Sequence, residues 1–178
     1  MRIIGGSLKG RTLKVPANFR GRPTTDFARE GLFNMLGAMV VWDELNVLEL
    51  FAGTGAFSME CLSRGVQHAV AVEKETLHVK SIADNFRLFE FRNANVFRDD
   101  ALRWLSASNQ SYNLIFADPP HDLADLMELP DKILKSGAMA NGGLLVFEHN
   151  HRDDFSGHEC MLKARRFSNV TFSFFIKK

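Results

Sequence analysis

The chain has 178 residues, of which 46% are hydrophobic and 24% charged, and its formal net charge is +1, values that describe an ordinary globular protein with one buried core. No apolar run approaches the roughly 20 residues that span a bilayer, so we expect neither a membrane segment nor a signal peptide. Two widely separated cysteines exclude a disulfide framework and a thiolate metal site, and they indicate a reducing, cytoplasmic setting.

The charges are distributed unevenly along the chain. Residues 1–30 carry a net charge of +5 and residues 160–178 another +5, whereas the middle of the chain carries −9. Basic ends are commonly plain solvated termini, but a basic surface is also what a polyanion requires, because neutralised phosphates release their counterions. The distribution therefore makes nucleic acid a candidate partner.

The N-terminal quarter of the chain predicts a hairpin, a loop and a helix. Residues 2–4 and 12–15 read as short β segments around a Gly-Ser-Leu-Lys-Gly turn, which indicates a β-hairpin. After a loop rich in Pro, Gly and Arg, Thr25 or Asp26 can cap a helix whose apolar positions extend to Met39.

From Asn46 onward, segments of strand and helix character alternate. The predicted strands are residues 46–51, 69–73, 94–99, 112–118 and 143–149, and the predicted helices are residues 55–65, 76–89, 100–108 and 125–137, the last with a break at Pro130. Such alternation is typical of βαβ units in a mainly parallel sheet with helices on both faces. Residues 160–167 and 170–176 then predict two strands of an antiparallel hairpin. The predicted fold class is therefore α/β, with seven strands.

A glycine loop follows the first strand of this alternating region. Gly53 and Gly55 stand directly before a helix, where glycine permits positive φ and a close approach of a ligand to the backbone. The next strand ends at Glu73, whose carboxylate can accept hydrogen bonds from both hydroxyls of a ribose. Ligands of such sheets lie outside the carboxyl ends of the strands, so this pattern predicts a nucleoside site.

The loop departs from the pattern of a dinucleotide site. The third glycine of G-x-G-x-x-G would fall at Ser58, and Glu49 lies in the strand before the loop. A carboxylate there would repel a pyrophosphate but could face the ammonium group of a methionine-type cofactor. A simple turn with an edge carboxylate is the structural alternative, and a nicotinamide-dependent oxidoreductase stays open as a functional one.

The strand at residues 112–118 ends in Asp118-Pro119-Pro120-His121. Two consecutive prolines fix the backbone and supply carbonyl acceptors without N–H donors. A proline-rich turn explains these residues as well as the rim of an active site does.

Residues 148–154, EHNHRDD, have the composition of a metal site. His149 and His151 are only two residues apart, which suits opposite sides of a strand better than one metal ion. We therefore predict a surface loop without metal.

Together, these motifs resemble the class I S-adenosylmethionine-dependent methyltransferases, and more specifically the RsmD-type enzymes that methylate the exocyclic N2 of a guanine in small-subunit (16S) ribosomal RNA. The similarity extends over nearly the whole chain and includes RIIGGSLKGRTL, RPTTDFAREGLFNML, LELFAGTGAFSMECLSRG, AVAVEK, DAL at residues 100–102 and FADPP. The block RPTTDFAREGLFNML is the most diagnostic, because glycine loops are common to many methyltransferases. The chain departs from the family at His121, where Phe or Tyr is usual, and at Asp99, where Gly is usual.

The resemblance implies a Rossmann-like fold, with a small basic hairpin extension at residues 1–22 and a methyltransferase domain at residues 23–178. It implies S-adenosylmethionine as the cofactor, with Glu49 at its methionine end, Glu73 at its ribose and Asp100 at its adenine amino group. The implied cofactor-binding residues are Glu49, Phe51, Ala52, Gly53, Thr54, Gly55, Glu73, Lys74, Asp100 and Ala101.

The implied catalytic residues are Asp118, Pro119, Pro120 and His121. Hydrogen bonds from the guanine amino group to Asp118 and to the Pro119 carbonyl would turn the nitrogen lone pair toward the methyl group. Asp118 could then accept the proton, and His121 could stack on the base. Because the methyl donor is already activated, no metal is expected.

The implied partner is 16S ribosomal RNA or a small-subunit particle, and we expect a cytoplasmic monomer that does not bind membranes. The candidate RNA-binding residues are Arg2, Lys9, Arg11, Arg22 and Arg29, of which Arg29 could instead serve the cofactor carboxylate. Two alternatives remain beside the oxidoreductase. One is methylation of adenine N6 or a glutamine amide, for which Asn is common where Asp118 stands. The other is a non-catalytic RNA-binding module.

Overall fold

The computed structural model describes residues 1–16, 19 and 24–178 of the chain. Its strands are β1 (Asn46–Leu50), β2 (His68–Glu73), β3 (Ala94–Arg98), β4 (Tyr112–Ala117), β5 (Met139–Asn150), β6 (Met161–Phe167) and β7 (Val170–Ile176). Its α-helices are α1 (Asp26–Gly37), α2 (Ala56–Ser63), α3 (Thr76–Leu88), α4 (Ala101–Ala107) and α5 (Leu129–Lys135). The predicted α/β class with a seven-stranded sheet is confirmed.

The strands form one sheet in the order β3-β2-β1-β4-β5-β7-β6. The first five strands are parallel, and the strand order reverses between β1 and β4. That reversal leaves a crevice at the carboxyl ends of the strands, which is where ligands bind in such sheets. The predicted C-terminal hairpin is confirmed, since β7 runs antiparallel between β5 and β6.

Helices cover both faces of the sheet. Helices α1, α2 and α3 bury side chains such as Phe33, Phe57 and Phe86 against one face, while α4 and α5 bury Leu105 and Ile133 against the other. Because both faces are covered, the central strands are apolar on both sides. No helix of the described residues has the length and apolar character needed to cross a membrane.

The predicted N-terminal hairpin is reduced to a single β-bridge between Arg2 and Thr12. The backbone between them turns to helix α2 instead, because the N–H groups of Ile4 and Gly5 donate to the carboxylate of Glu60, each at 2.7 Å. Groups that would extend a ladder are therefore bonded elsewhere, and two full strands do not form. The division of the chain at residue 22 stays a prediction.

Two local expectations need correction. Pro130 does not break a longer helix, because a 3-10 turn at Leu126–Glu128 precedes it and α5 starts only at Leu129. In the first turn of a helix the missing N–H of proline costs nothing. The surface loop predicted for residues 148–154 is wrong at its start, since β5 continues to Asn150 and pairs with β7 there.

Replacing the buried Glu60 by alanine should lower the free energy of unfolding by about 3 kcal/mol, because it removes the acceptor of two backbone N–H groups and leaves its ion-pair partner Arg64 without a carboxylate. Urea denaturation measures the change. Glu30→Ala, the same replacement at an exposed position of α1, is the matched control and should stay within about 0.5 kcal/mol of the wild type. Equal stability of the two variants would contradict the structural role of Glu60.

Candidate active site

A cavity of about 630 Å³ opens at the carboxyl ends of the parallel strands. Its volume lies within the range of small-molecule and cofactor sites. The structure brings thirteen of the fourteen predicted cofactor-binding and catalytic residues to its wall. These are Glu49, Phe51, Ala52, Gly53, Thr54, Glu73, Lys74, Asp100, Ala101, Asp118, Pro119, Pro120 and His121.

The fourteenth residue, Gly55, does not line the cavity but determines how helix α3 packs against the loop. Its φ is +70°, and a β-carbon there would lie 2.9 Å from a side-chain carbon of Ile82, so glycine is needed for α3 to pack against the loop. Gly53 also has a positive φ, of +54°. Phe51 adopts φ +57°, a conformation that is rare outside glycine and that clusters at functional sites.

Glu73 ties the glycine loop to the end of β2. One of its carboxylate oxygens accepts from the Gly53 N–H at 2.7 Å, and the other accepts from the Glu75 N–H at 2.8 Å. His78 lies beside it, with its Nδ1 3.6 Å from the carboxylate. Because each carboxylate oxygen has two lone pairs, Glu73 can still accept hydrogen bonds from ligand hydroxyls.

Glu49 occupies the N-terminus of α2. Its carboxylate accepts from the N–H groups of Phe57 (3.3 Å) and Ser58 (2.9 Å), at the end where the helix dipole favours a negative charge. Burial nevertheless raises the pKa of Glu49 to about 7. The carboxylate thus holds the loop in place and also lines the cavity.

Asp100 caps α4 with one of its two carboxylate oxygens. That oxygen accepts from the N–H groups of Leu102 and Arg103 at 3.0 and 3.2 Å. Its other oxygen is not engaged by these bonds and can meet a ligand. Asp99, which departs from the family pattern, forms an ion pair with Arg103 and also lines the cavity.

Glu148 is a site residue that the sequence analysis missed. Ala117 pairs with Phe147, so Asp118 and Glu148 follow at equivalent positions on adjacent parallel strands. Glu148 is 5% exposed, lines the cavity and accepts from the Thr24 hydroxyl at 2.8 and 2.9 Å. The available signal was a carboxylate at or near the end of a buried strand, a feature that β1 and β2 share.

Asp118 and Glu148 form a desolvated acidic pair. Burial raises the pKa of Asp118 to about 7. Burial, together with the nearby charge of Asp118, raises the pKa of Glu148 well above its ordinary value. Two carboxyl groups so placed favour a ligand that brings positive charge or N–H donors.

The proline corner is closed by a turn. The Pro120 carbonyl accepts from the Leu123 N–H at 3.0 Å, while Pro119 is buried and His121 exposed at the cavity rim. Within residues 1–16, 19 and 24–178, no protein donor bonds to the Pro119 carbonyl. The corner therefore offers a fixed carbonyl acceptor beside Asp118.

Arg29 lies inside the protein and lines the cavity, with only 4% of its surface exposed. Its Nη2 donates to the Arg2 carbonyl at 2.8 Å and to Asp26 at 2.7 Å. The other two guanidinium nitrogens, Nε and Nη1, have no partner among the described residues. Buried donors without partners are costly, so this geometry favours a carboxylate ligand for Arg29 over contact with an RNA backbone.

Of the other predicted RNA-binding residues, Arg2, Lys9 and Arg11 lie outside the cavity wall. Arg2 is exposed and paired with Asp26 at 3.1 Å, whereas Lys9 and Arg11 are exposed on the N-terminal segment. Arg22 lies outside the described residues. Their contact with RNA stays a prediction.

In the described part of the chain, no group of three or more His, Cys, Asp or Glu residues is arranged to hold a metal ion. His149 is instead hydrogen-bonded to Ser173 at 2.8 Å, and His151 lies beyond the end of β5. The acidic residues of the cavity therefore need a different explanation.

The sequence profile of the family described as Conserved hypothetical protein 95 matches residues 1–176. Ribosomal RNA small subunit methyltransferase D of Escherichia coli is 34% identical over 148 residues, which cover 83% of this chain and 74% of the relative. The Bacillus subtilis protein YlbH is 37% identical over 154 residues, which cover 84% and 83%. The solved structure of yhhF from Escherichia coli superposes with a TM-score of 0.86 at 29% identity, over 100% of this chain and 98% of that one.

Replacing Asp118 by asparagine should stabilise the protein increasingly as the pH rises. The pKa of Asp118 is raised in the folded protein, so the folded state keeps a proton that the unfolded chain releases, and wild-type stability falls between about pH 4 and pH 7. We expect the gain of Asp118→Asn to be about 2 kcal/mol larger at pH 8 than at pH 5. Urea denaturation at both pH values measures it, and Asp122→Asn, at an exposed carboxyl nearby, is the control. A gain that does not change with pH would contradict a desolvated Asp118.

Proposed function

The chain belongs to the Conserved hypothetical protein 95 family, the RsmD family of ribosomal RNA methyltransferases, and we therefore propose that it transfers a methyl group from S-adenosylmethionine to the exocyclic N2 of a guanine in 16S ribosomal RNA. One observation carries this proposal. A single cavity is lined both by the glycine loop with Glu73 and by the Asp118-Pro119-Pro120 corner, so a nucleoside cofactor and a target amine can meet in it.

The charges of the cavity fit S-adenosylmethionine. This molecule carries a positive sulfonium, a positive ammonium group and one carboxylate. The buried Glu49 and Glu148 and the partly buried Asp118 offer three carboxyl groups to the cations, and Arg29 offers two unpaired donors to the carboxylate. A nicotinamide dinucleotide would bring a pyrophosphate to the same carboxyl groups, which is unfavourable in a buried site.

The residues at the strand ends divide the binding of this cofactor among them. Glu73 can accept the ribose hydroxyls, and the free carboxylate oxygen of Asp100 can accept from the adenine amino group. The positive φ at Gly53 leaves the backbone open to close approach. When bound, S-adenosylmethionine supplies a methyl group on a positively charged sulfur, which is already activated for transfer.

The proline corner addresses the weakness of the nucleophile. The lone pair of a guanine amino nitrogen is delocalised into the ring, so the nitrogen attacks poorly unless it is oriented. Asp118 and the Pro119 carbonyl can accept its two N–H groups and thereby direct the lone pair out of the ring plane. Because two prolines and the Leu123 hydrogen bond hold this corner, the orientation is set before reaction.

Asp118 is also suited to take up the proton. Forming the N–CH₃ bond leaves the amino nitrogen with one proton too many, and a carboxylate bonded to that N–H can accept it. Its pKa of about 7 is close to neutrality, where a general base combines an ionised form with useful basicity. Burial raises this pKa, and the Thr24 hydroxyl holds the neighbouring Glu148 in place.

The substrate and setting are part of the same proposal. A target base has to be unpaired or turned out of its stack to enter the cavity, and the exposed Lys9 and Arg11 are suited to the phosphates around it. We propose a cytoplasmic monomer that acts on 16S ribosomal RNA or a small-subunit particle. Methylation of adenine N6 or of a glutamine amide is less well supported, because an aspartate rather than an asparagine accepts the amine here.

The proposal is tested by incubating the protein with methyl-labelled S-adenosylmethionine and small ribosomal particles that lack the modification. We expect label in 16S ribosomal RNA and N2-methylguanosine in its nucleosides. Asp118→Asn should reduce the rate by more than about 100-fold while binding S-adenosylhomocysteine normally, since only the acceptor at the amine is lost. Label in N6-methyladenosine or in protein would contradict the guanine assignment, and no transfer at all would contradict the function.

Two ligands, one with and one without a carboxylate, distinguish the binding role of Arg29 from that of Glu73. S-adenosylhomocysteine contains a carboxylate, whereas 5′-methylthioadenosine has the same nucleoside without the amino acid. Arg29→Met should weaken S-adenosylhomocysteine binding by about 30-fold, the loss of about 2 kcal/mol, and leave methylthioadenosine unaffected. Glu73→Gln should weaken both ligands. Calorimetric titration measures all four affinities, and equal losses of both ligands in Arg29→Met would contradict a carboxylate site.

A further inference from the structure

The outer edge of the sheet carries basic residues that no acid neutralises. Strand β6 is the last strand of the sheet, and its Lys163, Arg165 and Arg166 are all exposed. In the part of the chain that the structure describes, none of the three forms an ion pair with a carboxylate. Residues 160–178 contain five Lys or Arg and no Asp or Glu, so the positive potential of this edge is uncompensated locally.

Aromatic rings lie next to these cations. Phe27 of α1 is 73% exposed, and its ring meets that of Phe167 edge-to-face with centroids 5.8 Å apart. The Arg165 guanidinium lies 6.0 Å from the Phe167 centroid. A β-carbon at Gly31 would come within 2.2 Å of the Phe167 ring, so α1 needs glycine there to seat it. The packing holds Phe167 against α1 and leaves Phe27 projecting into solvent.

The strand register connects this edge to the cavity. Glu148 on β5 pairs with Phe172 on β7, and Phe172 pairs with Arg165 on β6. Since neighbouring strands are about 4.8 Å apart, the backbone of Arg165 lies about 10 Å from that of Glu148 and about 15 Å from that of Asp118. Alternation places Glu148, Phe172 and Arg165 on the same face of the sheet.

Helix α1 gives a second connection. Thr24, just before the helix, and Arg29, within it, line the cavity, while Phe27 between them lies on the exposed side with Phe167. The edge is therefore continuous with the mouth of the cavity.

We propose that this basic-aromatic edge, formed by Phe27, Lys163, Arg165 and Phe167 on one face of the sheet, binds single-stranded RNA next to the target guanine. This inference rests on the proposed function, and it adds where on the protein the RNA substrate binds. The cations neutralise phosphates, and one base stacks on the ring of Phe27. The excess of Lys and Arg without acidic residues suits a polyanion better than a protein partner, because the cores of protein interfaces are depleted in charged residues.

Two variants separate the charge contribution from the stacking contribution. The arginine variant, Arg165→Ala combined with Lys163→Ala on the same face, should weaken binding of protein-free 16S ribosomal RNA about tenfold and reduce the slope of log affinity against log salt by about 1.4, the value for two phosphate contacts to a single strand. Phe27→Ala should weaken binding about tenfold without changing the slope, because stacking releases no counterions. Fluorescence anisotropy without any methyl donor measures both.

The matched control is Lys132→Ala with Lys135→Ala, which removes two exposed charges from α5 on the opposite face of the sheet. It should retain wild-type affinity and slope. Thermal stabilisation by S-adenosylhomocysteine should be unchanged in every variant, because the cavity is intact.

Three results would overturn the proposed RNA surface. One is equal salt slopes for the arginine variant and the lysine control. Another is a loss of affinity for assembled small-subunit particles but not for protein-free RNA, which would assign the edge to a ribosomal protein. The third is loss of S-adenosylhomocysteine binding in the arginine variant. Absence of methyl transfer by the wild type would instead refute the enzymatic function, which the binding assay does not involve.

Discussion

The site depends on one constraint, the burial of several carboxylates at one edge of a parallel sheet. Strands β1, β2 and β5 contain Glu49, Glu73 and Glu148 at or near their carboxyl ends, and Asp118 directly follows β4. Side chains alternate along a strand, and the register aligns the neighbours, so these groups converge on a single cavity. Such a cluster is unfavourable without donors or cations, and it therefore requires both specific protein partners and a suitable ligand.

The protein satisfies part of this requirement with backbone and side-chain donors. The first turn of α2 binds Glu49, the glycine loop binds Glu73, and Thr24 binds Glu148. Among the described residues, no donor makes a comparable bond to Asp118, and burial raises its pKa to about 7. The carboxylate left least satisfied is thus the one that we propose accepts an amine. This difference between neighbouring acids is how one cavity can bind a cofactor at one end and perform proton chemistry at the other.

Most of helix α1 lies in the sequence block RPTTDFAREGLFNML, and the contacts of this helix explain why the block is so diagnostic. Thr25 caps the helix, Arg29 reaches the cavity from inside it, and Gly31 seats the aromatic ring of the outermost strand. A single amphipathic helix therefore links the cavity to the basic-aromatic edge. Each of these three contacts requires a particular residue type at a particular place, which is more restrictive than the need for an apolar face.

The local sequence pattern predicts a helix or strand correctly where all residues of one face have the same surroundings, either the core or solvent. The alternation of strands and helices predicted the five parallel strands, and the C-terminal pattern predicted the two strands of the antiparallel hairpin. The positions of Gly53 and Glu73 predicted a site at the strand ends, and both residues line the cavity there. Errors arose where a residue's partner lies far away in the chain. The N–H groups of Ile4 and Gly5 bond to Glu60 rather than across the hairpin, and β5 extends through Asn150 because β7 pairs with it there.

The sequence alone determined the fold class, the glycine loop with Glu73 at the strand ends and the unusual proline corner, because each is encoded in residues that are close together along the chain. Only the tertiary structure decided that Glu148 stands beside Asp118, that Arg29 is buried in the cavity and that Phe27 meets β6. The physical reason is that strand order and register bring together positions that are 30 to 140 residues apart, and a local pattern contains no information about which of them meet.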